Sequence, residues 1–137
     1  MFTKIMVPVD LDHLARLEKA LTCAGALAMQ FKAELIYVGV TSALPGSLAH
    51  NPAEYGHKLK AFADEQGARY GVACSSIAKL SHDVAVDVDH ALLEAAEDSG
   101  ADLAVMASHA PGFIDRVWPS HGGRLASHAR ISVMLVR

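Results

Sequence analysis

The sequence predicts an α/β fold in which a parallel sheet of five strands is covered by helices on both faces. Three observations carry this. Apolar runs of strand length alternate with segments of helical periodicity along the whole chain. The runs are apolar throughout instead of alternating with polar residues, as strands buried on both faces require. No repeat, charge block or low-complexity segment interrupts the pattern.

The elements follow in order. Residues 4–9, containing Ile5-Met6-Val7-Pro8-Val9, form a continuous apolar run and the first strand. From Leu14 to Phe31 apolar residues recur at spacings of three and four, which marks an amphipathic helix with Asp12 as its expected cap. Residues 33–40 make a second buried-type strand. Asn51-Pro52-Ala53-Glu54 then supplies a cap, a proline at the first helical position and a glutamate at the third, so a helix should run to about residue 70. Residues 75–80 form a third strand, less apolar than the others and therefore expected near a sheet edge. A helix over residues 86–99 is stopped by Gly100. Residues 103–107 give the fourth strand, 122–129 a short helix and 132–136 the fifth strand.

At 137 residues the chain reads as one domain over residues 1–137. A chain of that length buries roughly two thirds of its unfolded surface, so it needs no disulfide or metal staple. The net charge of −3 offers no basic stripe that would release phosphate counterions, which argues against a nucleic-acid partner. Cys23 and Cys74 sit among apolar neighbours without metal-ligand spacing and read as reduced, buried thiols of a cytoplasmic protein. No apolar run approaches the roughly 18 residues of a membrane span, and the chain enters a strand at once, which reads as no signal peptide.

Residues 41–50 and 108–119 are the longest stretches without periodicity. Both follow a strand, which puts them at the carboxyl edge of the sheet, where ligands bind in open α/β folds. The second is the more informative. Ala107-Ser108-His109-Ala110-Pro111-Gly112 leaves the fourth strand, and Trp118-Pro119-Ser120-His121-Gly122-Gly123 runs into the last helix. Unpaired N–H groups at a helix start, with about half a positive charge from aligned peptide dipoles, form a site for an anion.

Particular residues sharpen this. Pro8 cannot donate to a strand ladder, so it belongs at the strand's end, and it sets Asp10 in the crevice beyond. Asp10 has two available roles: capping the next helix, or accepting from a ligand N–H or hydroxyl. Gly122-Gly123 costs helix stability, up to about 1 kcal/mol each relative to alanine. That points to close approach of a ligand or of another packed element. Ser120 has the geometry either to cap that helix or to bond a phosphate oxygen. His109 stands at the end of a central strand, either bonded to neighbouring backbone or acting as a base. The other histidines do not pair: His121 and His128 are about 10 Å apart along a helix, too far to share a metal. Neither a P-loop phosphate motif nor a Gly-x-Ser-x-Gly elbow is present, and no nucleophile, base and acid assemble locally, so an enzyme is not indicated.

These residues resemble the universal stress protein family, small α/β proteins of the adenine-nucleotide-binding type. The resemblance covers essentially the whole chain. Its strongest part is Gly-Ala-Asp-Leu-Ala-Val-Met-Ala-Ser-His at positions 100–109, similar to the family's GADLIVMGSHG. The closing Ser-Val-Met-Leu-Val-Arg is similar to the family's PVLVVR. The resemblance implies a doubly wound, Rossmann-like sheet in the order 3-2-1-4-5, with the ligand cleft between strands 1 and 4. It also implies a homodimer through antiparallel fifth strands, which would cover an apolar edge.

Nucleotide-binding members carry G-x2-G-x9-G-[S/T] after strand 4, and this chain departs from that. Ala107 and Ala110 stand at the first two glycines. Counted without a gap, Ser120-His121 fall at the Gly-Ser positions; with one deletion Pro119-Ser120 do, the register we prefer. By position, the resemblance implies that Pro8, Asp10 and Val38 line the adenine and ribose region. Met106, Ala107, His109 and Ala110 would lie beneath the ribose and phosphates, with Ser120, His121 and Gly122 at the phosphate end. The expected ligand is ATP, ADP or AMP, with magnesium, bound by a cytoplasmic regulator that is at most a slow ATPase. The alternative is a member that binds no nucleotide and acts on an unknown protein partner through its dimer or the surface of residues 41–50.

Overall fold

The computed structural model describes residues 1–108 and 119–137; for residues 84–86 and 119–122 it describes the backbone alone. The described chain runs β1 (Lys4–Pro8), a 3-10 segment (Leu11–Leu17), α1 (Glu18–Phe31), β2 (Glu34–Ser42), α2 (Pro52–Tyr70), β3 (Cys74–Ser81), α3 (Val84–Ser99), β4 (Leu103–Ala107), α4 (Pro119–His128) and β5 (Ser132–Val136). The five strands form one parallel sheet in the order β3-β2-β1-β4-β5. The less apolar β3 is an edge strand, and β5 is the other.

Because side chains alternate across a strand, each strand feeds two cores. Ile5, Val7, Leu35, Tyr37, Leu103 and Val105 face α1 and α2, where Leu21, Ala24, Leu59 and Phe62 meet them. Met6, Ile36, Val38, Ala104 and Met106 face the other way, onto Val88 and Leu92 of α3 and Leu125 of α4. Both faces are thus covered, and the apolar-throughout strands follow from that.

Local chemistry explains where elements stop. Asn51 Oδ1 accepts from the N–H of Glu54 at 2.8 Å, and Pro52 opens α2 where a missing N–H costs nothing. Gly71 and Gly100 follow α2 and α3 with φ of +66° and +67°, values glycine adopts without strain. Three expectations need correction. The first helix is split: Leu11–Leu17 is 3-10, with His13 out of helical geometry, and Asp10, not Asp12, caps it by accepting from the Asp12 N–H. The last helix begins at Pro119, three residues early, because proline suits a first helical position; Ser120 therefore lies inside the first turn. Cys23 and Cys74 are half-buried, not buried; burial still pushes the Cys74 thiol up to about 11.

The starts of β1 and β4 are tied by one side chain. Asp102 accepts from the N–H and hydroxyl of Thr3, each at 2.8 Å, and from the N–H of Lys4 at 3.1 Å. Burial raises its pKa, but these bonds together outweigh burial and hold the carboxyl below its ordinary value. The sign follows. With a folded pKa below the unfolded one, the stabilisation is complete above the unfolded value of about 3.9 and is lost as pH falls through the folded value. Asp102→Asn should cost about 1–2 kcal/mol at pH 7 and flatten the acid limb of stability against pH. Urea melts between pH 2.5 and 7 check this; a variant with the wild-type acid limb would show that Asp102 contributes nothing.

Candidate functional site

The sheet opens at its carboxyl edge beside β1. β1 pairs with β2 over five positions, Lys4 to Pro8, yet with β4 over two, Ile5↔Leu103 and Met6↔Ala104. The Val9 N–H donates to Val38 O on β2, at 2.8 Å, so the strand's alternation turns Pro8 toward β4. Pro8 has no N–H to offer there, and the ladder ends. This is also where the chain reverses its winding direction, the position at which open α/β sheets bind ligands.

A cavity of about 320 Å³ lies over the ends of β1 and β2. Val9 and Asp10 form its floor with Val38 and Val40. The chain of residues 41–49 folds over it, Tyr55 of α2 closes one side, and Val88 and Leu92 of α3 the other. Small-molecule sites run from about 300 to 1,000 Å³, so this one matches a guest near the lower end. Asp10 and Asp12 are the ionised groups lining it, and Thr41, Ser42, Ser47 and Tyr55 add hydroxyls. Burial pushes the Tyr55 phenol up to about 12, with the Asp10 and Asp12 charges adding to it, so the hydroxyl stays protonated and able to donate.

The Asp10 carboxylate is partly engaged by its own chain. Oδ1 accepts from the Asp12 N–H at 3.0 Å, and Oδ2 meets His13 Nδ1 at 2.8 Å. A carboxylate has about four acceptor positions, and among the described residues two of them are taken, which leaves Asp10 able to accept from a ligand. The two roles open to Asp10 from sequence are therefore compatible.

The start of α2 faces the same edge but is saturated. Asn51 caps the Glu54 N–H, and Glu54 Oε2 accepts from the His50 N–H at 3.0 Å. That bond, then the contact with the His50 ring, lowers the Glu54 pKa. An anion finds little unmet donor capacity there. The start of α4 differs: Pro119 spends no donor, and the next N–H groups of a helix's first turn have no intrahelical partner. Arg124 of α4 reaches Asp89 of α3 at 3.2 Å, fixing this helix beside the wall that carries Val88 and Leu92.

The expected site residues fare unevenly. Asp10 and Val38 line the cavity. Pro8 is buried at the strand end, Met106 is in the α3-side core, and Ala107 is half-buried at the end of β4; none of the three lines the cavity. His109 and Ala110 lie outside the described residues. Ser120, His121 and Gly122 occupy the first turn of α4, with side chains outside the described ones. Sequence reasoning missed Tyr55, Val88 and Leu92. Tyr55 had a signal: four residues after the Asn51 cap it must sit on the first inward turn of α2. Val88 and Leu92 had the four-residue spacing of one helix face, though nothing told which loop they would meet.

The universal stress protein family model matches residues 1–137, and the chain belongs to that family. A universal stress protein family member from Burkholderia pseudomallei superposes with a TM-score of 0.71 at 26% identity, over 98% of this chain and 95% of that one. A universal stress protein from Archaeoglobus fulgidus, in complex with dAMP, gives 0.67 at 17% identity over 98% of each chain. A family protein from Arabidopsis thaliana with AMP bound gives 0.65 at 15% identity, over 98% of this chain and 90% of that one. No curated protein matches the chain.

Proposed function

We propose that this chain binds an adenine nucleotide (ATP, ADP or AMP) and acts as a regulator in the cytoplasm, not as a catalyst. The observation that carries the reading is the cavity over β1 and β2, lined by an Asp10 carboxylate that only two donors of the described residues engage. Its described lining holds hydroxyls, apolar surface and carboxylates but no cation. That chemistry suits the base and ribose and repels phosphate. The phosphates would instead reach the first turn of α4, where Ser120, His121 and Gly122 present backbone donors under the helix dipole. His109, Ala110 and Ala107 would line the path between the two, and ATP would enter as its magnesium complex, while Met106, buried in the α3-side core, supports that path from beneath. The solved relatives with dAMP and AMP support the ligand class.

Titration calorimetry with AMP and ATP tests this. A hydrogen bond to a charged acceptor contributes about 1.5–3 kcal/mol, so Asp10→Ala should weaken binding at least tenfold. Unchanged affinity in both Asp10→Ala and Ser120→Ala would place the site elsewhere.

One observation favours a second role. β5 is an edge strand whose Met134 and Leu135 are 38% and 46% exposed, an apolar edge of the kind proteins cover by pairing. A homodimer through β5, presenting a joint surface to a partner protein, is the reading that remains if no nucleotide binds. It also fits alanines standing where nucleotide-binding members carry glycine. Equilibrium sedimentation of the purified chain distinguishes monomer from dimer.

A further inference from the structure

We propose that Tyr37, Gln66 and Tyr70 together hold one internal water molecule between α1, α2 and β2. Three side-chain atoms in the described chain are buried without a hydrogen-bond partner: Tyr37 Oη, Gln66 Oε1 and Tyr70 Oη. They come from one neighbourhood. Gln66 and Tyr70 are a single turn apart on α2, and Gln66 is 4% exposed on the stripe of Tyr55, Leu59, Phe62 and Ala63 that faces the sheet. Tyr37 points up from β2, wholly buried, with its ring edge-on to Phe62 at a centroid distance of 5.1 Å, one turn before Gln66. Gly25 of α1 closes the group: a Cβ there would stand 2.4 Å from Tyr70 Cε1 and 2.5 Å from Cζ, so the hydroxyl end of that ring is pressed into the seam between helices. Burial is the main cause that raises the Tyr37 pKa, in keeping with a phenol enclosed between helix and sheet.

The hydrogen-bond inventory selects the guest. The two phenols each have a proton to give, and Gln66 Oε1 needs one. A water accepts from both phenols and donates to the amide oxygen, which satisfies all three atoms and equals the usual three bonds of an interior water. A hydroxyl or amide left unmet in a core is rare and costly, and here three would be left in one place. An ion is not suited: two phenols and an amide offer it no counter-charge, and Arg69, 5.1 Å over the Tyr70 ring, would repel a cation.

A crystal structure at 1.5 Å or better is the direct test on the wild-type chain. Density for one water within 3.2 Å of all three atoms is the expected result. Direct bonds among the side chains, or no density there, would overturn the proposal. Stability supplies an independent readout through Tyr37→Phe, Gln66→Met and their double variant. If one water serves both residues, the midpoint shift of the double is clearly smaller than the sum of the singles. Additive shifts would show separate environments and count equally against it.

Discussion

Leu59→Ala should lower the unfolding free energy by about 3 kcal/mol, within the 2–5 found for such core truncations. Leu59 is fully buried at the middle of the inner face of α2, between Tyr55 and Phe62, and belongs to the core that Ile5, Leu35 and Tyr37 form with α1. The methyl groups removed lose both their transfer from water and the contacts around the hole they leave. Helix and sheet flank that hole rigidly, so little of it can close. Lys60, one residue on, gives the contrast. It points outward, exposed, and reaches Asp64 at 2.8 Å in an exposed pair one turn apart. Such pairs are worth about 0.3–0.5 kcal/mol. Two adjacent residues of one helix should therefore differ severalfold in cost. Urea unfolding with an unchanged slope measures both. Similar losses for the two would mean that α2 does not pack as described. Set against the roughly 5–15 kcal/mol of a typical domain, the larger loss is a substantial part of the whole.

The same physics decides how much could be read beforehand. Strand identity was legible because Ile5, Met6 and Val7 must be apolar on both sides of a covered sheet, and all three are at most 1% exposed. The start of α2 was legible because capping is local: Asn51, Pro52 and Glu54 carry the whole signal within four residues. The split of the first helix was not. Leu11, Leu14 and Leu17 recur at spacings of three, which fit a 3-10 turn as readily as an α-helix. What selects 3-10 here is the Asp10 carboxylate drawing in the Asp12 N–H and His13, a competition invisible to periodicity. Lys32, at φ 54° after α1, carries no glycine to announce its left-handed turn. For the candidate site, family likeness and strand ends pointed to Asp10 and Val38, and both line the cavity. Its walls were not, because Tyr55, Val88 and Leu92 come from two helices brought together only by the order of the strands.

Gly39→Ala should destabilise the chain by about 1–3 kcal/mol and reshape the candidate cavity at the same time. A Cβ on Gly39 would lie 2.1 Å from Tyr55 Oη and 2.9 Å from Cζ, distances that no repacking in place can absorb. Tyr55 is 5% exposed and anchored on the first turns of α2, so its ring cannot swing freely out. Overpacking of this kind costs about 1–3 kcal/mol. Since Tyr55 lines the cavity, the displaced hydroxyl end must move against Asp10's side of it or against the chain over residues 41–49. AMP affinity should fall with stability, by tenfold or more if the ring enters the base site. A double-mutant cycle isolates the cause. Tyr55→Phe removes the atom at 2.1 Å and leaves ring carbons at 2.9 and 3.0 Å, so Gly39→Ala should cost clearly less in the phenylalanine background. Thermal unfolding and AMP titration of the four proteins provide both readouts. An equal penalty in the two backgrounds would mean that the glycine serves the β2 backbone and not the tyrosine, and that the wall of the cavity is free to vary without it.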